Sequence, residues 1–200
     1  LFETTNYSNL DLEIKKKYKA EVGRKELEVS SFNIDDFLKS LKMVAQCKAA
    51  NKQIFPRISQ ITQRTNQFNA RTIRYDEEQI TNVSQNKNYI LYAYSLKDKF
   101  GSHGLVALVI LYIIDDITLF IDTFCMSCRV FNRGFEYFII DHIKTVMEKN
   151  DYKNLVVEWV PTEKNSLVNN FYLSLGFKDF ENKNNKLHID SIKIDKHYIK

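Results

Sequence analysis

Glycine, proline and cysteine are scarce in this 200-residue sequence, and each scarcity excludes a class of protein. With five glycines and two prolines, long flexible or proline-rich linkers are not expected. Three cysteines, Cys47, Cys125 and Cys128, do not make a disulfide framework and predict a reducing, cytoplasmic compartment. The longest apolar run, residues 105–114, stops at Asp115 and is far shorter than a membrane span, so no membrane association is expected.

A strong charge of one sign is also absent. The 29 basic and 25 acidic side chains leave a net charge of +4, which does not predict nucleic-acid binding because that requires a clustered basic face. A modest positive field still helps an anionic cofactor or an acidic carrier protein to approach. The sequence opens Leu-Phe-Glu-Thr-Thr, without a leader pattern or an initiator methionine. We therefore expect no signal peptide and a segment of a longer protein.

The remaining composition, 44% apolar and 27% charged, is typical of a folded protein. Residues 1–42 are charged and helical in pattern, with Asn33 as an N-cap candidate, and predict a helical extension or linker. Residues 43–200 predict one domain with the element order β-α-α-β-β-β-α-β-α-β-β. In its tail, Leu187, Ile189, Ile192 and Ile194 have strand character. The fold class is therefore α/β, in the mixed α+β sense.

The first segment with chemical potential runs from Ile121 to Glu136, a strand, a polar turn and a helix start. Such a turn directs backbone N–H groups and the helix dipole at one point, which is a candidate anion site. Gly134 allows close approach of a phosphate, and Asn132 is among the few non-glycine residues that tolerate a positive φ. Arg129 and Arg133 add positive charge. An ordinary turn is the open alternative.

The second segment is residues 165–177, a short helix that ends at Gly176 and leads into a strand at Phe177. Its Leu167, Val168, Phe171 and Leu175 have the spacing of a core face. Tyr172 either offers its phenol to a site or is a half-buried packing residue.

Together these two segments resemble the GNAT acyltransferase superfamily. The turn resembles its motif A, Q/R-x-x-G-x-G/A, with Arg129 first, Asn132 in place of the first glycine, and Gly134 last. Residues 165–177 resemble its motif B helix and strand. The resemblance implies a GNAT fold, with a mixed, mostly antiparallel sheet between helices, that binds acetyl-CoA, another acyl-CoA or a phosphopantetheinyl carrier protein, without a metal. The residues that it assigns to the cofactor are Phe124, Met126, Arg129, Val130, Phe131, Asn132, Arg133, Gly134, Phe135, Asn165 and Tyr172.

Three further stretches, residues 59–75, 121–129 and 158–165, are similar to FkbH-like proteins, which join a HAD-type domain to a GNAT-like domain. The resemblance implies that the HAD-type half lies upstream in the full-length protein, with an acyl carrier protein as a further partner. Its pathway context is secondary-metabolite or surface-polysaccharide synthesis. The nucleophile motif of the HAD half, D-x-D-x-(T/V), does not occur in this sequence.

In a GNAT-type transfer, a nucleophile attacks a bound thioester while the protein moves protons. Motif B makes Tyr172 the candidate acid. Glu158 is either a base, if burial favours its protonated form, or a structural anchor. Asp122 is more consistent with a hydrogen-bond anchor than with a base.

The candidate substrate-binding set is Thr65, Asn66, Gln67, Asn69, Arg74 and Asp122, whose amides suit recognition of a polar acceptor. Helix capping is the alternative role of those amides.

Cys125 and Cys128 form a C-x-x-C pair, but the sequence offers no further suitably paired ligands, so neither a metal site nor a redox role is predicted. The leading hypothesis is therefore a GNAT-like acyltransferase domain that acts on CoA-bound or carrier-bound acyl groups. The alternative is a non-catalytic module that docks a carrier protein for the HAD-type half.

Overall fold

The structure is a computed structural model that describes residues 3–179, 186–189 and 197–200. The helices of this described part are α1 Glu3–Ser30, α2 Ile34–Leu41, α3 Phe55–Arg64, α4 Glu77–Gln85, α5 Phe135–Lys149 and α6 Ser166–Ser174. Its strands are β1 Val44–Ala49, β2 Tyr89–Asp98, β3 Gly101–Asp115, β4 Thr118–Met126, β5 Asn154–Glu158, β6 Lys178–Asp179 and β7 Lys186–Ile189. From β1 onward, this order is the predicted one. Ile192 and Ile194, predicted as strand, lie outside the described residues.

The strands form one mixed sheet in the order β1-β2-β3-β4-β5-β7-β6. β3 pairs antiparallel with β4, and β7 pairs antiparallel with both β5 and β6. The β4–β5 pair is parallel, because α5 lies between them in the chain and carries it back across the sheet. This agrees with the predicted mixed, mostly antiparallel sheet.

The helix ends follow local sequence signals. Asn33 caps α2 by accepting a hydrogen bond from the backbone N–H of Asp36 at 2.9 Å, as predicted. Asp76 and Gln79 form a reciprocal capping box at the start of α4. Beyond α6, Gly176 has φ of 95°, the left-handed conformation that glycine adopts most readily after a helix. None of the described helices combines the length and apolarity needed to cross a bilayer.

The central strands are buried on both faces. All but one residue of β4 is buried, as is the middle of β3, so helices must cover the two sides of the sheet. One cluster of the core joins α3 and α4 to β2 and β3, through Phe55, Ile58, Ile80, Leu91, Ala93, Leu108 and Ile110. α5 contributes a second buried face through Ile139, Ile140, Ile143 and Val146. The site described below is built on this rigid framework.

The chain divides into two compact units. The first comprises residues 1–45, 96–104 and 198–200, and the second comprises residues 46–95 and 105–197. The boundary predicted at residue 42 concerns the domains of the chain and stays a prediction.

A buried ionic network holds the first unit together. The Arg24 guanidinium donates to both Asp98 carboxylate oxygens, at 2.7 and 3.0 Å, and His103 lies 2.9 Å from Asp98 Oδ2. The backbone N–H groups of Phe100 and Gly101 also donate to Asp98. Burial alone would raise the pKa of Asp98, but the hydrogen bonds from His103 and Arg24 hold it well below its usual range. The network joins α1 to the turn between β2 and β3.

We expect Arg24→Leu to lower the free energy of unfolding by about 3 kcal/mol, because it removes the arginine partner of a carboxylate whose side chain is fully buried. Urea unfolding of the two proteins measures the difference. Lys25→Leu is the matched control, since Lys25 is exposed on the same helix. Equal effects of the two substitutions would show that the buried pair is not specifically stabilising.

Candidate functional site

The candidate site lies where β4 and β5 separate. The two strands pair from Thr118–Asn154 to Ile121–Val157. β4 then continues to Met126, whereas β5 ends at Glu158. The next residues, Asp122 and Glu158, therefore stand at the start of a gap between two diverging strand edges. Such a gap leaves backbone N–H and C=O groups that need other partners.

Residues 68–71, named here the wedge segment, fill this gap. On one side, the Met126 N–H donates to the Phe68 carbonyl at 3.1 Å, and Asn69 forms an antiparallel bridge with Cys125. On the other side, the Val160 N–H donates to the Ala70 carbonyl at 2.9 Å. The wedge segment thus behaves as a short strand inserted between the separated edges, and accepts hydrogen bonds from both of them.

The Phe68 side chain anchors one end of the wedge segment. It is 2% exposed and lies in an aromatic cluster, with ring centroids 4.8 Å from Phe124, 5.4 Å from Phe131 and 5.6 Å from Phe171. Burial of a phenyl ring contributes about 1.5 to 3 kcal/mol. The aromatic contacts therefore oppose removal of the segment from the gap.

Arg71 clamps the other end. Its Nε lies 2.6 Å from a Glu158 carboxylate oxygen, and a terminal nitrogen lies 2.5 Å from Asp122 Oδ1. The guanidinium also lies over the Phe120 ring, 4.9 Å from its centroid. Burial alone would lower the pKa of Arg71, but Asp122 and Glu158 outweigh it and raise the pKa. Arg71 is a permanent cation. It bridges β4 and β5 directly beyond the last residues at which the two strands pair.

Both carboxylates are engaged by this bridge. Asp122 Oδ2 also accepts hydrogen bonds from the Tyr75 hydroxyl at 2.6 Å and the Thr123 hydroxyl at 3.0 Å. Burial raises the pKa of Tyr75, and Asp122 raises it further. Asp122 thus has the contacts of a hydrogen-bond anchor. Glu158 has the contacts of a structural anchor, the second of the two roles that the sequence left open for it.

Asn165 and Asn69 fix the wedge segment from the side. Asn165 is fully buried and donates to the carbonyls of Asn69 at 3.1 Å and Val160 at 2.9 Å, while its oxygen accepts from the Thr162 N–H at 2.8 Å. The Asn69 oxygen accepts from the Thr72 N–H at 3.0 Å. The amides of Asn165 and Asn69 therefore bind their own chain, although the sequence assigned them to cofactor and substrate.

Tyr172 is fully buried on α6. Its ring lies 5.4 Å from that of Phe177, and no described residue forms a hydrogen bond with its hydroxyl. Burial raises the pKa of Tyr172 well above its usual value, and Cys125 and Arg71 are close enough to influence it. Tyr172 therefore faces the interior beside the wedge segment and has no access to solvent in this structure.

The predicted anion loop has the expected backbone. After a single 3₁₀ turn at Cys128–Val130, the chain turns into α5 with φ of 61° at Asn132 and 78° at Gly134. The positive φ expected at Asn132 is confirmed. A Cβ at residue 134 would also lie 3.2 Å from the His197 Cβ, so both the positive φ and the close contact favour glycine there. The neighbouring Phe124, Val130 and Phe135 are fully buried and serve as core residues.

The first turn of α5 is occupied by a side chain of its own helix. Glu136 is 3% exposed, and the backbone N–H groups of Glu136, Asn132 and Phe135 face its carboxyl group. Burial raises the pKa of Glu136 to about 7, despite these N–H groups, which lower it. Its Oε2 has no hydrogen-bond partner within the described part of the chain. The Glu136 carboxyl group therefore lies at the start of α5, where the sequence predicted an anion site.

A basic cavity of about 500 Å³ opens at the end of β4. Four cations line it, from α3, the anion loop and the residues before α6: Arg57, Arg64, Arg129 and Lys164. Its other walls are Gln60, Ile61, Thr65, Asn66, Gln67, Phe68, Met126, Ser127 and Cys128. No acidic residue is among these described walls. Burial lowers the pKa of Arg57, and the charges of Arg129 and Arg64 lower it further. A bound anion would relieve this repulsion.

The predicted polar residues divide between the cavity and its neighbour. Thr65, Asn66, Gln67, Met126 and Arg129 line the basic cavity. Arg74 donates to the Asn66 side chain at 2.5 Å and, with Thr65 and Asn66, lines an adjoining cavity of about 360 Å³. Phe131 and Arg133 are half-buried and Asn132 is exposed in the anion loop, and none of them lines the basic cavity.

The contributions of α3 and of Arg71 to the candidate site were not predicted from the sequence. Arg57, Gln60 and Arg64 share one helix face by their spacing of three and four residues, and this signal was available. Arg71 carries no local signal, since its partners Asp122 and Glu158 are 51 and 87 residues away along the chain. Within the described residues, no group of three His, Cys, Asp or Glu side chains is placed to hold a metal.

Solved structures with this architecture are known. The ribosomal-protein-S18-alanine N-acetyltransferase from Escherichia coli superposes with a TM-score of 0.55 at 15% identity, over 75% of this chain and 96% of that one. The PaiA N-acetyltransferase from Thermoplasma acidophilum, solved with coenzyme A, gives 0.55 at 10% identity, over 74% and 99%. A GNAT family acetyltransferase from Elizabethkingia anophelis with acetyl-CoA bound gives 0.50 at 14% identity, over 73% and 97%.

This chain has the GNAT fold. The similarity confirms the predicted fold class, and at these identities it extends to the fold alone. No protein-family model and no curated protein matches the sequence.

We expect the stability of this GNAT fold to depend on pH through Glu136. The pKa of its carboxyl group is about 7 when folded and 4.5 in its ordinary state, so the folded chain holds the proton more tightly and loses stability as pH rises between these values. Glu136→Gln keeps the shape without the charge. At 1.4 kcal/mol per pKa unit, the variant should gain on the order of 3 kcal/mol over wild type above pH 7.

Urea unfolding of both proteins, across pH values from below 4.5 to above 7, measures this difference. The two proteins should differ least at the acidic end. A difference that is constant with pH would mean that the Glu136 carboxyl group is ionised without cost and is not held in a desolvated position.

Proposed function

We propose that this chain is a GNAT-fold module that binds the phosphate end of a phosphopantetheine arm and docks it without transferring an acyl group. The observation that carries the proposal is the basic cavity, whose four cations face one space without an acidic residue among its described walls. Arginine side chains match the geometry of a phosphate and can bind it through two parallel hydrogen bonds. The arm can come from CoA or from an acyl carrier protein, which share this phosphate chemistry.

The closed gap favours docking over transfer. A transfer reaction needs two reactants held against a proton acceptor and a proton donor. Here the wedge segment accepts hydrogen bonds from both strand edges, Glu158 is bound to Arg71, and the Tyr172 hydroxyl is sealed in the interior. These contacts leave the basic cavity as the accessible part of the site.

Docking also agrees with the context that the FkbH-like resemblance implies. A HAD-type domain upstream in the full-length protein, acting on a group attached to an acyl carrier protein, would require the carrier to be held close by. The cations of the cavity favour approach of an acidic carrier. The proposed partners are thus the carrier protein and the upstream domain, in a secondary-metabolite or surface-polysaccharide pathway.

The second candidate function is acyl transfer, and one observation favours it. A fully buried tyrosine hydroxyl without a partner among the described residues is costly, by about 1 to 3 kcal/mol. If the wedge segment left the gap, Tyr172 would face the vacated space, where a thioester sulfur could accept its hydrogen bond. Transfer of an acetyl group from acetyl-CoA to any tested amine would support this function and exclude a docking-only role.

We expect phosphopantetheinylated acyl carrier protein to bind this chain and the double variant Arg64→Gln/Arg129→Gln to bind at least about tenfold more weakly, since each charge-assisted hydrogen bond contributes about 1.5 to 3 kcal/mol. Both side chains are exposed, so the fold should not change. Calorimetry with the carrier measures the affinities. The carrier without its arm should bind more weakly than the modified carrier.

Lys144→Gln is the matched control, because it removes a positive charge from an exposed position outside the cavity. Its affinity should equal that of wild type. The proposal fails if neither the modified carrier nor CoA binds, or if the control weakens binding as much as the loss of an arginine from the cavity.

A further inference from the structure

The Glu136 carboxyl group is the buried titratable group that the proposed function leaves unexplained. A helix start usually exposes its N–H groups to water or to a ligand. On α5, the N–H groups of Glu136, Asn132 and Phe135 instead face a carboxyl group that is 3% exposed. That group also keeps Oε2 without a partner in the described part of the chain. An ordinary helix-capping carboxylate is solvated, so this burial requires a further reason.

Glu136 and the basic cavity lie on the two halves of one loop. Ser127, Cys128 and Arg129, at its first half, line the cavity. Asn132 and Gly134, at its second half, lead into the first turn of α5 and the Glu136 carboxyl group. One phosphate can therefore be held by the cavity cations alone. A second, linked phosphate that follows the loop meets a carboxyl group where it would need N–H donors.

We propose that Glu136 is a specificity-determining residue, which excludes the diphosphate of CoA from the start of α5 and leaves the single phosphodiester of a carrier-bound arm as the accepted ligand. The inference rests on the proposed function, because it assigns the source of the arm that the cavity binds. The carboxyl group takes the position in front of the N–H donors that the second phosphate would need, and in its ionised form it also repels that phosphate. A carrier-bound arm has no second phosphate and meets neither obstacle.

Discrimination is expected because the Glu136 carboxyl group lies in front of the N–H donors at the start of α5. It does not require the entrance of the basic cavity to be blocked. The basic cavity itself is not expected to distinguish the two ligands, since its cations contact a phosphate that both ligands carry. The ligands also differ in the 3′-phosphoadenosine of CoA and in the carrier protein itself, but the Glu136 carboxyl group acts at the second phosphate. Removing the carboxyl group should therefore improve the binding of CoA and leave the binding of the carrier unchanged.

The experiment compares wild type with Glu136→Gln in calorimetric titrations with three probes: CoA, free 4′-phosphopantetheine and phosphopantetheinylated acyl carrier protein. We expect the variant to bind CoA at least about tenfold more tightly than wild type does, and to bind the other two probes within about twofold of wild type. Glu148→Gln is the matched control, because it removes the same charge from an exposed position on the same helix.

The outcomes separate the two proposals. If wild type binds the carrier but Glu136→Gln does not gain affinity for CoA, the specificity inference fails and the docking function stands. It also fails if wild type binds CoA as tightly as the carrier, or if Glu148→Gln gives the same gain. If none of the three probes binds any of the proteins, the docking function itself fails. Glu136→Ser, which also lacks the carboxyl group, replaces Glu136→Gln should that variant unfold.

Discussion

The hydrogen bonding of the wedge segment between β4 and β5 is the constraint on which the rest of the site depends. The two strands separate after Ile121 and Val157, and the Phe68 and Ala70 carbonyls accept the Met126 and Val160 N–H groups on either side. Once backbone fills the gap, Asp122 and Glu158 face a chain segment rather than a ligand. Arg71 then forms ion pairs with both carboxylates and reduces the repulsion between these two partly buried like charges.

The same constraint determines where a ligand can bind. Tyr172 and Cys125 are both fully buried, and Cys125 forms a bridge with Asn69 of the wedge segment. The accessible anion-binding groups lie at the mouth of the gap, on α3 and the first half of the loop. The Glu136 carboxyl group lies at the second half of the loop, in the first turn of α5. The proposed function therefore assigns the phosphate of the ligand to the basic cavity rather than to the helix start.

Local sequence signals predicted the elements well and the site only in part. Asn33 caps the start of one helix and Gly176 follows the end of another through contacts within a few residues, so their roles could be predicted directly. The positive φ at Asn132 was accessible for the same reason. The filling of the gap could not be predicted, because the amides of Asn69 and Asn165 suit a ligand as well as their own backbone. Only the tertiary structure decides between these partners.

Charge pairing was the least predictable part of the site. The position of Glu158 in the sequence makes it a candidate base, whereas its contacts in the structure are those of a structural anchor. A single arginine, 87 residues earlier in the chain, accounts for this difference. Glu136 was counted only as the end of a helix-start motif, since burial of a first-turn glutamate leaves no mark in the sequence. Both cases show that a motif locates candidate groups, whereas their protonation and access depend on what the fold places against them.

Amide hydrogen exchange at Met126 and Val160 tests the closed gap most directly. If the wedge segment occupies the gap in solution, both N–H groups should exchange as slowly as that of Leu119, which lies in the paired part of β4. Exchange of the Met126 and Val160 N–H groups at the rate of exposed amides, with Leu119 still protected, would show that the gap is open and would contradict this account.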